Sequence, residues 1–249
     1  MLQRRQMLAL PVSGLGWGLL NSLLYERAFG ATLAWLTGWA LAIVLCLVAG
    51  WVAYRSDGAA RHRMGNSLLY LLAMAPFVGG ACLVLAQMTR LDAWIIAAWT
   101  VGVMTVIAPV LGPALQTRAR LVVEGETGPW ARTHLDLRKG ILMPDAFGAV
   151  EPPRSAMTPW QIGALAVNLP LVWRLMGGGD TSLLALAMIV MSATLVWVGV
   201  KQVGPGLGAA WFVLNIERRT GQRLRNPEWA EVQAMRRSHW LARWFMRDA

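Results

Sequence analysis

The chain has 249 residues, of which 56% are hydrophobic and only 14% charged, against about 25% charged in an ordinary soluble domain. With a mean hydropathy of +0.47, this composition excludes a conventional water-soluble globule and points to a helical protein that crosses a membrane several times. The net charge of +10 rests on 21 arginines and two lysines, which raises nucleic-acid binding until the cations are located. They fall between the apolar runs, so membrane orientation accounts for them and no nucleic acid is expected.

In chain order, apolar runs long enough for roughly 30 Å of hydrocarbon, about 20 residues each, occupy residues 7–25, 31–54, 67–88, 93–115, 160–176 and 182–200. The fifth is the shortest. Arg4 and Arg5 ahead of the first run, with Ala28 and Gly30 after it, also fit a cleaved targeting signal over residues 1–30. The run is long for a signal core of about 7 to 15 residues, which favours a span.

Six spans put both termini on one side of the membrane. The segments on that side hold 20 of the 23 cations, among them Arg55, Arg61 and Arg63, and the opposite side holds only Arg27, Arg90 and Arg174. The positive-inside rule therefore makes the termini cytoplasmic. The expectation is an all-α, polytopic protein of a bacterial-type inner membrane. It has a four-span block over 1–115, a cytoplasmic loop over 116–159, a two-span hairpin over 160–200, and a hinge with a basic helical tail over 201–249.

On the second span Gly30, Ala34, Gly38, Ala42, Cys46 and Gly50 recur every fourth residue, and Gly14 and Gly18 repeat the spacing on the first. Small residues at this interval let two helix backbones approach closely, either inside the bundle or against a partner. The pentapeptide NSLLY occurs at 21–25 and 66–70. Its flanks do not align, so it reads as coincidence.

Pro76, Pro109, Pro113 and Pro170 fall in the third to fifth runs. Proline-broken helices near the midplane can build transporter sites, which makes a small transporter or channel the first alternative function. Asn168 is the best-placed residue for a polar cavity, although Asp, Glu, Lys, Arg and His are missing from the middle of every run. Cys46 and Cys82 sit at different depths and read as unpaired packing residues. His62, His134 and His239 lie in cytoplasmic segments, away from any intramembrane serine. His134, Asp136 and Asp145 are the nearest approach to a catalytic cluster, and they fit no catalytic or metal spacing. A membrane-surface enzyme is thus the second alternative; no cofactor or metal is expected.

After the last run, Gly204, Pro205, Gly206 and Gly208 read as a hinge at the cytoplasmic surface. The segment after them, about 11 residues, is too short to span. Arg218 and Arg219 then face lipid phosphates. Asn226, Pro227 and Glu228 open a helix. It carries Arg236, Arg237, Trp240, Arg243, Trp244 and Arg247, suited to anionic headgroups or a cytoplasmic partner. The resulting functional expectation is a non-catalytic interaction or assembly component of secretion, conjugation or envelope machinery, including immunity or exclusion by binding. Its partners are other membrane proteins, further copies of itself and anionic lipid.

Overall fold

The computed structural model describes residues 4–55, 58–88, 94–143, 146–147, 181–225 and 234, and they are mostly helical. Three helices among them are long and apolar enough to cross a membrane, over Ala31–Tyr54, Ala59–Gln87 and Ile95–Glu124. The proposed span at 160–176 lies outside the described residues.

The first helix, α1 (Arg4–Phe29), ends at Gly30, whose φ of 77° is open to glycine but strained for other residues. Only that residue separates it from α2 (Ala31–Arg55), so the pair forms a tight hairpin. The small-residue pattern lies along its seam. Ala34, Gly38, Ala42 and Gly50 are buried, Cys46 is half-buried, and Gly30 is exposed at the turn. A Cβ added at Gly18 would overlap the Ala42 backbone, one at Gly14 would stand 3.1 Å from the Leu45 carbonyl carbon, and one at Gly38 would collide with the Ser22 hydroxyl.

Helix α3 (Ala59–Met88) is the centre of the bundle: 61% of its apolar stretch is buried, against 17% for α4 (Ile95–Glu124). Trp17 of α1 meets Phe77 of α3 edge-on at 5.3 Å between ring centroids, and Leu45, Val52, Leu69, Val106 and Leu195 complete the core. Helices α3 and α4 run through Pro76, Pro109 and Pro113 without a break. These prolines therefore do not split the third and fourth runs. The Pro76 carbonyl instead accepts a hydrogen bond from the Tyr25 hydroxyl at 2.9 Å.

Both helices exceed their apolar runs. Helix α3 starts at Ala59, eight residues before the expected span. Helix α4 continues from the apolar run to Glu124, supported by an Arg120–Glu124 pair one turn apart, and stops where Gly125 takes a φ of 66°. The segment expected as a loop over 116–159 is thus helical at its start and continues as α5 (Pro129–His134) and two short antiparallel strands, β1 (Leu135–Asp136) and β2 (Ile141–Leu142). This small sheet departs from an all-α chain. Gly140 (φ 64°) and the Lys139 N–H donated to Asp136 Oδ1 at 3.1 Å shape its turn.

The C-terminal part of the fold is α6 (Thr181–Val198), a π-helical turn over Gly199–Val203, and α7 (Gly204–Thr220). The expected hinge is therefore a helix. Low helix propensity favours a bend at Gly204, Gly206 and Gly208, but here glycine serves contact with a neighbour, and tertiary packing overrides propensity. The wider π turn directly before Pro205, closed by Gly204 N–H to Gly199 C=O, makes room for a ring that clashes in a regular α-helix.

Gly16 and Gly18 give opposite predictions. Nothing lies within 4 Å of a Cβ at Gly16, so Gly16→Ala should raise stability by about 0.5–1 kcal/mol. Gly18→Ala should lower it by about 1–3 kcal/mol through overpacking against Ala42. Thermal unfolding of the two variants in one detergent checks the difference in sign.

Candidate functional site

One end of the bundle carries a cap built from separate parts of the chain. Ala60 of α3, Leu142 of β2, Val213 of α7 and Leu224 form one buried cluster, and Leu121 of α4 with Ala209, Phe212 and Ile216 of α7 forms another. Trp130 joins them, stacking on His134 at 5.0 Å and meeting Phe212 edge-on at 5.9 Å. Beyond the αL glycine Gly221, the chain pairs with β2: Arg225 N–H donates to Gly140 C=O at 2.8 Å and Leu142 N–H to Arg225 C=O at 3.0 Å.

The four described acids of this cap are all engaged within it. Glu124 meets Arg120 at 2.6 Å, Glu126 meets Arg219 at 3.2 Å and Asp136 meets Lys139 at 3.8 Å. Glu217 accepts the Leu224 N–H at 3.0 Å. Arg118 lies 4.0 Å over the Trp211 ring. Arg132, Arg138, Arg218 and Arg225 are exposed, so the outward charge of the cap is cationic.

His134 and Asp136 have structural partners: His134 Nδ1 is 2.8 Å from the Trp130 carbonyl, and Asp136 shapes the strand turn. Asp145 lies outside the described residues, as do Asn168, Arg236, Arg237, Trp240, Arg243, Trp244 and Arg247. Arg218 and Arg219 occupy the last turn of α7. No group of three or more His, Cys, Asp or Glu residues placed to hold a metal ion occurs among the described residues.

A cavity of about 140 Å³ opens above the cap between α1, α3, α6 and the π turn. Its polar wall is one stripe of α3: Arg63, Asn66, Ser67 and Tyr70, at i, i+3, i+4 and i+7. Arg63, expected among the cytoplasmic loop cations, instead turns into the bundle and donates from its terminal nitrogen to the Gln202 carbonyl at 2.7 Å. Its Nε and the Asn66 Oδ1 are buried without a hydrogen-bond partner. Ser67 donates to the Arg63 carbonyl at 3.0 Å, and Tyr70 donates to the Leu195 carbonyl. The 3.6-residue spacing of this stripe was present in the sequence, masked by the apolar residues around it.

Gly206 makes the arginine's place. A Cβ there would stand 2.5 Å from both Nε and a terminal nitrogen of Arg63. Its neighbours serve α4: a Cβ at Gly204 would stand 2.7 Å from the Val110 carbonyl oxygen, and one at Gly208 would overlap that of Ala114.

The two NSLLY copies perform the same local task at different heights. In each, serine is buried, the Asn Oδ1 is buried without a partner, and Tyr ties its hydroxyl to a carbonyl of another helix, Tyr25 to Pro76 and Tyr70 to Leu195. Tyr25 also accepts the Trp99 indole N–H at 2.8 Å and borders a second cavity of about 410 Å³. Among the described residues that line it, that cavity is apolar and holds no charged group.

Fold and site define a helical, membrane-embedded protein with a structured basic cap and a half-buried arginine at the end of its bundle. No protein-family model matches the chain, nor does any curated protein or any solved structure.

Gly206 and Gly208 should respond differently to a methyl group. Gly208→Ala meets backbone and should lower unfolding stability by about 1–3 kcal/mol. Gly206→Ala meets the movable end of Arg63 and should cost less sterically, while breaking the bond to Gln202. Chemical denaturation, with protection of the arginine guanidinium from exchange, separates the two effects.

Proposed function

We propose that the chain is a non-catalytic component of an inner-membrane protein complex, of the kind found in secretion, conjugation or envelope machinery or in immunity by binding. In this reading it spans the membrane six times, with both termini and the basic cap on the cytoplasmic side. The observation that carries the proposal is the internal neutralisation of the cap. Its described acids are spent on its own arginines, lysine and backbone, which leaves a folded cationic surface for an acidic partner or anionic headgroups.

Preorganisation adds to this. The surface is held by Trp130, Phe212 and the β2–Arg225 pairing, so docking orders little chain and loses little conformational entropy. The membrane-facing side of α2, with Trp35, Leu36, Trp39, Ile43 and Leu47 exposed, suits lipid or the apolar helices of a partner.

Replacing Arg132, Arg138 and Arg218 together with Glu should leave the unfolding profile close to wild type. It should reduce retention of a copurifying membrane partner, or of a second copy, by at least tenfold in mild detergent. A wild-type chain that runs alone, with no partner and no self-association after crosslinking in native membranes, would falsify the reading. Orientation has its own check. In a chain carrying Cys46→Ala and Cys82→Ala, a cysteine replacing Thr127 should react with an impermeant thiol reagent only from the cytoplasmic side.

A further inference from the structure

We propose that the Arg63 cavity binds a phosphate oxyanion, supplied by a phospholipid headgroup or by free phosphate. A guanidinium has five N–H donors and no acceptor. Here one terminal nitrogen donates to the Gln202 carbonyl, while Nε is buried without an acceptor. No carboxylate lies within 4.0 Å of the group among the described residues. A charge partly withdrawn from water without a counter-ion is unfavourable, and an oxyanion entering the cavity that Arg63 lines supplies the missing charge. The N–H donors that Gln202 leaves unused lie in a rigid planar fork suited to phosphate oxygens, a geometry a lysine cannot reproduce.

The same wall selects further. Asn66 Oδ1 is buried and lacks a donor. A phosphate that is monoprotonated, or esterified to a headgroup bearing a hydroxyl or ammonium, brings a donor together with its acceptor oxygens. A simple carboxylate brings acceptors alone. Size agrees: about 140 Å³ exceeds the roughly 10–15 Å³ one water needs on the same measure many times over, which is enough for a phosphate.

Position favours the lipid source. Arg63 lies one turn of α3 beyond Ala60, which belongs to the cap's buried cluster, so the cavity begins where the bundle meets its basic end. Its other walls, with Met74 and Leu195, are apolar. A headgroup can face Arg63 while its glycerol end meets that apolar wall. The π turn beside it supplies the Gln202 carbonyl that orients the guanidinium, in keeping with the frequent use of π-bulges at functional sites.

The test uses the full chain in a neutral detergent, followed by phosphorus NMR. The probes are dihexanoyl phosphatidylglycerol below its micellar concentration and, separately, inorganic phosphate. Saturable binding of one probe per chain is expected, weakened at least tenfold by Arg63→Gln and several-fold by Asn66→Ala. Lys201→Gln, which removes an exposed cation from the same π turn, should bind as wild type does. Lipid binding that inorganic phosphate does not displace assigns the site to a headgroup, whereas saturable binding of inorganic phosphate assigns it to the free ion. If neither probe binds saturably, the cavity holds only solvent and the proposal is overturned. It is overturned equally if binding is unchanged in Arg63→Gln or, should that variant not fold, in Asn66→Ala.

Discussion

At Gly204 the backbone of α7 comes so near α4 that an added Cβ would stand 2.7 Å from the Val110 carbonyl oxygen, and one turn on, at Gly208, a Cβ would overlap the Ala114 carbonyl. Only hydrogen fits between the two helices at these points. That close approach fixes the rotation of α7, and much of the basic end follows from it. With Gly204 and Gly208 turned to α4, Gly206 faces α3 and leaves the space taken by Arg63. The same rotation delivers Phe212, Val213 and Ile216 into the cap's buried clusters. Within a membrane, where lipid tails are as apolar as side chains, such packing replaces the hydrophobic effect as the force that holds helices together.

The two ends of the bundle consequently differ in chemistry. At the end holding Tyr25, Leu83 and Trp99, the described residues pack an apolar cluster joined by tyrosine and indole hydrogen bonds, and the described residues lining the cavity carry no charge. At the cap end, acids are neutralised internally, arginines remain at the surface, and one arginine is drawn inside. A cationic exterior and a half-buried guanidinium both favour anions on charge alone but differ in geometry. The exterior acts over a Debye length of about 8 Å and is weakened by salt. A half-buried group is screened less.

Much of the architecture was legible because it depends on local rules. Apolar runs of sufficient length had to become helices, since lipid leaves backbone groups no other partner. The fourth-residue spacing of small side chains predicted a close helix pair, and the structure places Gly14, Gly18, Gly38 and Ala42 at the α1–α2 seam. The glycines of 204–208 suggest a hinge in the sequence because glycine lowers helix propensity whether or not a neighbour approaches, and packing makes the segment a helix. Prolines at 76, 109 and 113 looked like breaks for a similar reason, while packing around α3 and α4 keeps both helices whole. Hydropathy places Arg63 outside the apolar run and so among the loop cations; the helix starts earlier and turns the side chain toward Gln202.

By itself the sequence determined that the chain is rich in membrane-length helices, that its cations gather in particular segments, and that certain helix faces are small enough for close contact. Those properties reside in length, composition and period, which each segment carries alone. Only the tertiary structure decided which glycine faces which helix, that residues near 60, 142, 213 and 224 share one buried cluster, and that Arg63 meets the Gln202 carbonyl 139 positions away. Such contacts join residues distant in the chain, and their energies depend on the relative rotation and depth of the helices, which no single segment encodes.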